Sequence, residues 1–199
     1  MSTLTSINPS TYEVLGEVNE SSVADVAGAV DLARSALGDW SAEDVDTRVG
    51  ALRAVFQDLA ALKNEYCILQ SREMGMPISE SLADFDYALE FADWYCSNAA
   101  RLLGSQVTFE SSDEVHHVVH EPIGVVAVII PWNSPLNNVV WTTIQSLIAG
   151  NVVVLKHSEE CPLSARFIEK VFAKHLPAGV FIVLYGAGSV GRQLLSACA

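Results

Sequence analysis

Apolar positions three and four residues apart recur through the first hundred residues of the chain. Ser22 and Asp25 have the spacing of a capping box, in which the side chain of each residue accepts a hydrogen bond from the backbone N–H of the other at the start of a helix. The apolar residues from Val23 to Leu37 follow at helical spacing and form one stripe. This pattern predicts a helix that begins directly after Ser22.

Two more helices are predicted from the same periodicity. Ser41 and Asp44 form a second capping signal, and the apolar stripe from Val45 to Leu69 then predicts one continuous helix. A glycine and a proline interrupt the pattern, and a third stripe from Leu82 to Leu102 predicts a helix that ends near Gly104. We expect these stripes to pack in the core.

The pattern changes after residue 105. Alternating β-branched and polar residues between Gln106 and Glu121 predict a β-hairpin. Continuous apolar runs then alternate with amphipathic stretches, which predict strands at residues 125–130, 152–155 and 181–185 and helices at 136–148, 162–174 and 190–197. Buried strands that alternate with helices indicate an α/β fold, a Rossmann-like parallel sheet that a helical segment and a hairpin precede.

A glycine pattern follows the third predicted strand. Gly186, Gly188 and Gly191 have the spacing G-x-G-x-x-G of a dinucleotide fingerprint. Such a fingerprint usually opens the first strand of the sheet and needs an acidic residue about 20 positions further on, which this sequence does not contain. A glycine-rich turn that starts a helix is the favoured interpretation, although a simple nucleotide-binding module built on these glycines stays a possible function.

Composition excludes some partners. The chain has 24 acidic and 11 basic residues and a formal net charge of -13, and such a negative field repels nucleic acid and anionic membranes. The most apolar stretch, residues 123–132, is about half the ~20 residues of a membrane-spanning helix. The four scattered cysteines and the lack of a secretory signal at the start favour a reducing compartment, and we expect a cytoplasmic location.

The segment from Glu121 to Glu159 carries the most specific text, EPIGVVAVIIPWNSPLNNVVWTTIQSLIAGNVVVLKHSE. It resembles the aldehyde dehydrogenase superfamily, whose members carry E-P-[IV]-G, then P-W-N-x-P, then A-G-N-x-V-V-x-K-x-S-E. Other segments are similar to the family's in the same order: the residues around Asn8, a strand before Val18, the helix from Val23 to Leu37, Arg72 to Pro77 and Leu176 to Val180. The resemblance implies an NAD(P)-dependent oxidation of an aldehyde to a carboxylic acid.

The resemblance also implies a catalytic role for one residue. Asn133 matches the asparagine whose side-chain amide donates to the oxygen of the tetrahedral intermediate. A donor of this kind contributes about 2.7 to 4 kcal/mol of transition-state stabilisation. Considered alone, an asparagine two residues before Pro135 is as well explained by a local turn or a helix cap.

Cofactor contacts follow from the resemblance in the same way. Lys156 and Glu159 match the pair that binds the adenosine ribose, and a carboxylate there accepts from both hydroxyls and repels a 2'-phosphate, so NAD is preferred to NADP. The alternative is an exposed salt bridge without function. The other matched positions of the cofactor cleft are Ile129, Ile130, Pro131, Trp132, Asn133, Gly188 and Gly191. Without the resemblance, the strand-end residues among them are explained as core.

Two positions depart from the family pattern. Ser134 stands where an aromatic residue is most frequent, which implies an altered substrate tunnel, and His157 stands where proline is frequent. The segments that hold the family's nucleophilic cysteine and general-base glutamate have no counterpart here. We therefore expect an amino-terminal portion of such an enzyme that is inactive alone, and none of the four cysteines is assigned as nucleophile.

The resemblance divides the chain into three parts. Residues 1–105 are interpreted as the helical part of the cofactor-binding domain, residues 106–121 as an oligomerisation hairpin, and residues 122–199 as the first β-α-β-α-β part of the NAD-binding sheet. The expected partners are a small-molecule aldehyde and further copies of the chain in a dimer or tetramer. A non-catalytic homologue that acts as an interaction subunit is the alternative function.

Two other residue groups were considered. His116, His117 and His120 could be metal ligands, and positions 116 and 120 are expected to share a strand face, but no cysteine or carboxylate cluster completes a site. No metal is predicted. Trp40, Trp94 and Trp141 fall on helical positions and are interpreted as packing residues.

Overall fold

The computed structural model describes residues 2–198 of the chain. Within that range it has seven strands and seven helices. Their bounds are β1 Thr3–Ile7, β2 Val14–Asn19, α1 Val23–Ala42, α2 Val45–Ala61, α3 Lys63–Met74, α4 Ile78–Leu103, β3 Gln106–Glu110, β4 Val115–Val118, β5 Val125–Ile129, α5 Pro135–Ile148, β6 Val152–Lys156, α6 Pro162–His175, β7 Phe181–Leu184 and α7 Gly188–Cys198.

An antiparallel hairpin of β1 and β2 precedes the helices. The helical periodicity gave no signal for it, because both strands are short and only Ser6 and Val18 are buried within them. Tyr12 in its turn has a positive φ of 61°, a left-handed conformation that L side chains disfavour. The hairpin therefore contains one strained exposed residue.

The first predicted helix starts as expected, and the second does not. Ser22 accepts from the backbone N–H of Asp25, and the Asp25 side chain accepts in return, so the capping box is confirmed. Helix α1 continues through Ser41, and Asp44 alone caps α2 by accepting from the Thr47 N–H at 2.6 Å. The prediction of Ser41 as a cap is wrong, because the α1 stripe continues to the buried Trp40.

The stripe predicted as one helix from Val45 to Leu69 is two helices. The chain leaves helical geometry at Leu62, whose N–H bonds the carbonyls of Asp58 and Leu59. Apolar periodicity passes through this break because both helices bury residues against the same neighbours, α4 and α6. Gly75, with φ of 72°, then ends α3 in the left-handed conformation expected of a helix-terminating glycine.

A three-stranded parallel sheet of order β5-β6-β7 forms the centre, which confirms the α/β fold class. All five residues of the middle strand β6 are buried, as a strand covered on both faces requires. Helices α1 and α7 contact each other and the sheet, and α5 and α6 form a second pair against it. Helices α2, α3 and α4 pack outside α5 and α6.

The second hairpin, β3 and β4, differs from the sheet in its exposure. Every residue of both strands is exposed, including Val107, Phe109 and Val118. Because β4 ends at Val118, His120 lies outside the strand, and its predicted shared face with His116 is wrong. Within residues 2–198 no group of three potential ligands is positioned to hold a metal ion.

Candidate functional site

The carboxyl ends of the three parallel strands lie at one edge of the sheet. The turn after β5 holds Ile130 to Ser134, the turn after β6 holds His157 to Cys161, and the turn after β7 holds Tyr185 to Ala187. Ligands of doubly wound sheets bind at this edge. The sequence-predicted residues are therefore brought to one side of the molecule.

Lys156 and Glu159 form an ion pair at the end of β6. Lys156 Nζ donates to Glu159 Oε2 at 2.7 Å, with side-chain exposures of 5% and 36%. Partial burial, the largest single influence, acts to raise the pKa of the Glu159 carboxyl, but the hydrogen bond and charge of Lys156 and a backbone hydrogen bond together outweigh it, and the pKa lies below its usual value. The Lys156 side chain of this pair is buried and that of Glu159 is half-buried, so the pair is less exposed than the alternative of an exposed salt bridge assumed.

A cleft of about 670 Å³ lies beside this pair. It combines Ile130, Pro131, Trp132 and Glu159 of the predicted set. Its opposite wall comes from the amino-terminal segment, namely Thr5, Ile7, Pro9, Glu73 and Met74. The resemblance marked the segments that contain Pro9, Glu73 and Met74, but nothing in the sequence placed them beside the sheet, because they lie far from it along the chain.

The remaining predicted residues lie around the cleft. Ile129 is close to Gly191, where an added Cβ would meet Ile129 Cδ1 at 3.3 Å, so α7 packs tightly on β5 there. Gly188 has open space around it at the start of α7. Asn133 is exposed in the turn after β5.

Asn133 has a defined neighbour. The Asn138 side-chain Nδ2 donates to Asn133 Oδ1 at 3.3 Å. In this orientation the Asn133 Nδ2 group points its donors elsewhere, as an oxyanion donor requires. Ser134 precedes α5 without capping it by a side-chain hydrogen bond, so the turn is held by Pro135 and Asn138 instead.

The glycine turn after β7 is explained by packing. Gly186 has φ of 151°, and a Cβ there would lie 2.3 Å from Val190 Cγ2. Glu20, directly after β2, accepts from the Ala187 N–H at 3.4 Å. A carboxylate at the start of α7 opposes phosphate binding there, which argues against the dinucleotide fingerprint.

Glu73 is a buried carboxylate that the motif analysis did not single out. It accepts from the backbone N–H groups of Leu163 and Ser164 at 2.8 and 2.7 Å, and from the hydroxyls of Ser6 and Ser164 at 2.7 and 2.6 Å. It thereby caps α6 from another helix, because Cys161 at the N-cap position makes no side-chain cap. Its only sequence signal was the REMGMP text.

Beside this junction lies His157, which is almost fully buried. Its Nδ1 accepts from the Ser158 N–H at 2.9 Å and lies 3.5 Å from Cys161 Sγ. Burial lowers the pKa of His157 to about 4, so the ring is neutral at physiological pH. A neutral buried imidazole replaces the proline that the family pattern favours here.

No cysteine of the described residues has the setting of a nucleophile. Burial raises the pKa of Cys67, Cys161 and Cys198, and raises that of Cys96 to about 11. A nucleophilic cysteine needs the opposite shift, because only the thiolate attacks. The structure therefore agrees with assigning none of the four that role.

Comparisons with known proteins place the chain. The model of the aldehyde dehydrogenase family matches residues 1–198. The chain belongs to the aldehyde dehydrogenase family. It is 33% identical over 189 residues to a glutarate-semialdehyde dehydrogenase from Pseudomonas putida, with 94% of this chain and 39% of that protein covered.

Solved structures of the family share the fold. A betaine aldehyde dehydrogenase from Staphylococcus aureus in complex with NAD⁺ superimposes with a TM-score of 0.91 at 30% identity, covering 97% of this chain and 40% of that one. An NADP-dependent enzyme from E. coli superimposes with a TM-score of 0.89 at 27% identity, covering 99% and 46%. The chain thus spans about two fifths of the length of the relatives it matches; one of the two structures holds NAD⁺, and the other enzyme is NADP-dependent.

Among the helices of residues 2–198, none combines the length and apolar character needed to cross a membrane.

Proposed function

We propose that this chain forms the cofactor cleft and the oxyanion donor of an NAD-dependent aldehyde dehydrogenase that oxidises an aldehyde to a carboxylic acid. The observation that carries the proposal is the Lys156–Glu159 pair, 2.7 Å apart at the carboxyl end of the fully buried strand β6. A dinucleotide supplies the hydride acceptor when it is bound.

The residues at the strand ends fit an adenosine ribose. Glu159 presents carboxylate oxygens as acceptors for vicinal hydroxyls, and Lys156 holds that carboxylate in place and ionised. Ile130, Pro131 and Trp132 offer apolar surface beside it. The 2'-phosphate of NADP would lie beside the negatively charged Glu159 carboxylate and would be repelled by it, which supports NAD over NADP.

Calorimetric titration with NAD tests this assignment. Glu159→Ala should reduce NAD affinity about tenfold or more, because hydrogen bonds to a charged acceptor contribute about 1.5 to 3 kcal/mol. Glu65→Ala, an exposed carboxylate on α3 that does not line the cleft, is the matched control and should leave binding unchanged. A larger loss from Gly188→Ala than from Glu159→Ala would contradict the proposal and favour a module that binds through the glycine turn.

Asn133 would donate its side-chain N–H to the oxygen of the aldehyde as that oxygen gains charge. The 3.3 Å hydrogen bond from Asn138 supports this role, because it occupies Asn133 Oδ1 and leaves Nδ2 for the substrate. The nucleophile is proposed to lie outside these four cysteines, whose thiols stay protonated. Residues 1–199 alone should therefore form no NADH from aldehydes at 340 nm, and turnover that Asn133→Ala abolishes would contradict this.

The exposed β3–β4 hairpin supports a proposed homo-oligomer, a dimer or tetramer. Val107, Phe109 and Val118 expose apolar surface on strands that contact no core, and such surface favours association. Replacing Phe109 and Val118 by Ser should shift the mass measured by light scattering toward the monomer. An unchanged mass would contradict the proposal that the hairpin forms the oligomer interface. A chain that associates but does not bind NAD would favour the alternative of a non-catalytic interaction subunit.

A further inference from the structure

A groove between α3 and α6 opens to solvent on another part of the surface. Its deeper part encloses about 330 Å³, and a second hollow of about 250 Å³ continues it past Leu15 of β2. In the described part of the chain it shares no lining residue with the cofactor cleft. We call this surface the α3–α6 groove, with Leu62, Ile68 and Leu69 on its α3 wall and Leu163, Phe167 and Val171 on its α6 wall.

The floor of the α3–α6 groove is apolar because of residue spacing on α6. Leu163, Phe167 and Val171 follow each other four positions apart, so they form one stripe on the helix. The ring of Phe167 packs edge-on against Tyr66 at 5.4 Å, which fixes it in the floor. On the other wall, Ile68 is 54% exposed. A concave surface with accessible apolar groups suits a ligand that has an apolar chain.

One rim of the groove carries three positive charges. Arg166, Lys170 and Lys174 lie four positions apart on α6 and all line the groove. They are three of the 11 basic residues of a chain whose net charge is -13. Lys174 pairs with Asp58 at 3.1 Å. On the opposite wall, Glu65 is the one acidic residue among the described residues that line the groove.

The charges of Arg166 and Lys170 are not compensated inside the protein. Within residues 2–198 neither side chain has an ion-pair partner, although acidic residues outnumber basic ones by 24 to 11. Arg166 Nη1 donates instead to the backbone carbonyl of Glu17 at 3.1 Å. Glu169, on the same helix, is bonded to the Tyr185 hydroxyl. Two cations one helical turn apart are therefore available to an anion from outside.

The combination of rim and floor selects one class of ligand. A carboxylate accepts hydrogen bonds from a guanidinium and an ammonium group, and a guanidinium binds it in a bidentate geometry. Exposed ion pairs contribute little affinity by themselves, so most of it has to come from burial of an apolar chain. A groove near the lower end of the volume range of small-molecule sites, about 300 Å³, suits a slim linear chain.

We infer that the α3–α6 groove binds a linear alkyl carboxylate, with the carboxylate at Arg166 and Lys170 and the chain along Leu62, Leu69 and Phe167. The site depends on the groove alone. Only its connection to the reaction rests on the proposed function, because a carboxylic acid is the class of product that this reaction forms. The inference adds a second small-molecule site, outside the cofactor cleft, at which such an acid binds.

Ligand-observed proton NMR with octanoate tests the site on the whole chain. Octanoate should bind at least about fivefold more tightly than octan-1-ol, which lacks the charge, and octylammonium should bind more weakly than octan-1-ol. Octanoate should also bind at least about fourfold more tightly than hexanoate, because its longer chain buries more apolar surface. Equal binding of octanoate, octan-1-ol and octylammonium, or no binding of octanoate, would overturn the inference.

Two variants and two controls locate the binding. Lys170→Gln and Ile68→Asn alter exposed side chains of the rim and the α3 wall, and each should weaken octanoate binding about threefold. Lys63→Gln, a cation of α3 that pairs with Asp86 outside the groove, and Leu32→Asn, an exposed leucine of α1, should not. If Ile68→Asn lowers the helical circular dichroism, Lys170→Gln decides the question. Octanoate binding that both groove variants leave unchanged would overturn the inference.

The acidic residue of the groove gives a test of opposite sign. Glu65→Gln removes the negative charge that faces the basic rim, so octanoate should bind about twofold more tightly to this variant. Octylammonium should bind it more weakly than it binds the wild type. Octanoate binding that is unchanged or weaker in Glu65→Gln would contradict the placement of the carboxylate.

A last variant separates the groove from the cofactor cleft. Glu159→Ala should bind octanoate as tightly as the wild type, because Glu159 lines the cleft and not the groove. Octanoate binding that this variant abolishes would place the ligand in the cleft and overturn the inference. NAD binding that Glu159→Ala leaves unchanged would instead contradict the proposed function, and the carboxylate site would remain.

Discussion

The turns after β6 and β7 both follow the carboxyl end of a parallel strand, yet the helices that come after them begin differently. After β6, α6 starts with Glu73 bonded to two backbone N–H groups at 2.7 and 2.8 Å, in a fully buried junction. After β7, α7 starts at a glycine turn where Glu20 accepts one N–H at 3.4 Å. Both helix starts receive a carboxylate from a distant part of the chain.

The difference between these turns shows what a glycine pattern leaves undecided. The turn with G-x-G-x-x-G spacing has a carboxylate where a phosphate would bind, and its Gly186 is required by contact with Val190. The turn after β6, which has no glycine, follows directly on Lys156, contains Glu159 and lines the cleft of about 670 Å³. The β1–β2 hairpin contributes to both turns. Its Ser6 donates to Glu73, which caps α6, and Glu20, which contacts the start of α7, directly follows β2.

The largest effect should come from removing the carboxylate after β6. Glu73→Ala leaves two backbone N–H groups and two hydroxyls without their acceptor in a buried site, and should lower the free energy of unfolding by about 3 to 5 kcal/mol. Urea unfolding measures it. Glu65→Ala, an exposed carboxylate on the same helix, should change it by less than about 0.5 kcal/mol. A loss below about 1 kcal/mol would show that the junction is dispensable.

Protonation of His157, in the turn after β6, should make the stability of the protein depend on pH. Its folded-state pKa of about 4 lies below the ordinary value of 6.5, so below pH 6.5 the unfolded chain binds a proton that the folded chain does not. Stability is complete above pH 6.5 and decreases as the pH falls toward 4, by about 2 kcal/mol at pH 5. Urea unfolding of His157→Gln at pH 7.5 and pH 5 should lack this part of the loss, and an identical pH slope in the variant would refute it.

Removing the strained residue Tyr12 from the β1–β2 hairpin should make the protein more stable. Tyr12→Gly removes a left-handed side chain that costs about 1 to 2 kcal/mol, and part of that gain is offset by the greater entropy of glycine in the unfolded chain. We expect an increase of about 0.5 to 1 kcal/mol in thermal or urea unfolding. Tyr12→Ala retains the strain and should give no comparable gain; equal gains would assign the effect to the lost ring.

The smallest effect should come from the carboxylate after β7. Glu20→Gln keeps an acceptor near the Ala187 N–H and removes only the charge, so it should lower stability by about 0.5 kcal/mol at low salt, the usual size of a helix-dipole contribution. High salt should reduce the difference between variant and wild type. A loss as large as that of Glu73→Ala would mean that the two helix starts are equivalent after all.

Much of the fold could be predicted because its signals are local. The capping box of Ser22 and Asp25, the continuous apolar run of β6 and the alternation of strands and helices each depend on neighbouring residues. The break at Leu62 could not be predicted, since both helices bury their stripes against the same partners and the periodicity continues through it. Of the β1–β2 hairpin, only a strand before Val18 was expected, from the resemblance, because most of the hairpin's residues are exposed and give no clear periodicity.

The candidate site divides in the same way. Motif text placed Ile130 to Asn133 and Lys156 to Glu159 at the strand ends, and the parallel sheet brings both to one edge. No local pattern placed the far wall of the cleft, including Thr5 and Met74, beside these strand ends. Those residues reach the cleft only because the hairpin and α3 pack against α6.

The sequence by itself determined the family, the α/β class and the residues at the strand ends, because motifs and periodicities are written in adjacent positions. Only the tertiary structure decided which carboxylates cap α6 and α7, and that the glycine turn is a packing feature. It also decided that Trp40 is buried, whereas Trp94 and Trp141, which were interpreted as packing residues, are exposed. Burial and long-range hydrogen bonds depend on which distant elements meet, and no local pattern encodes that contact.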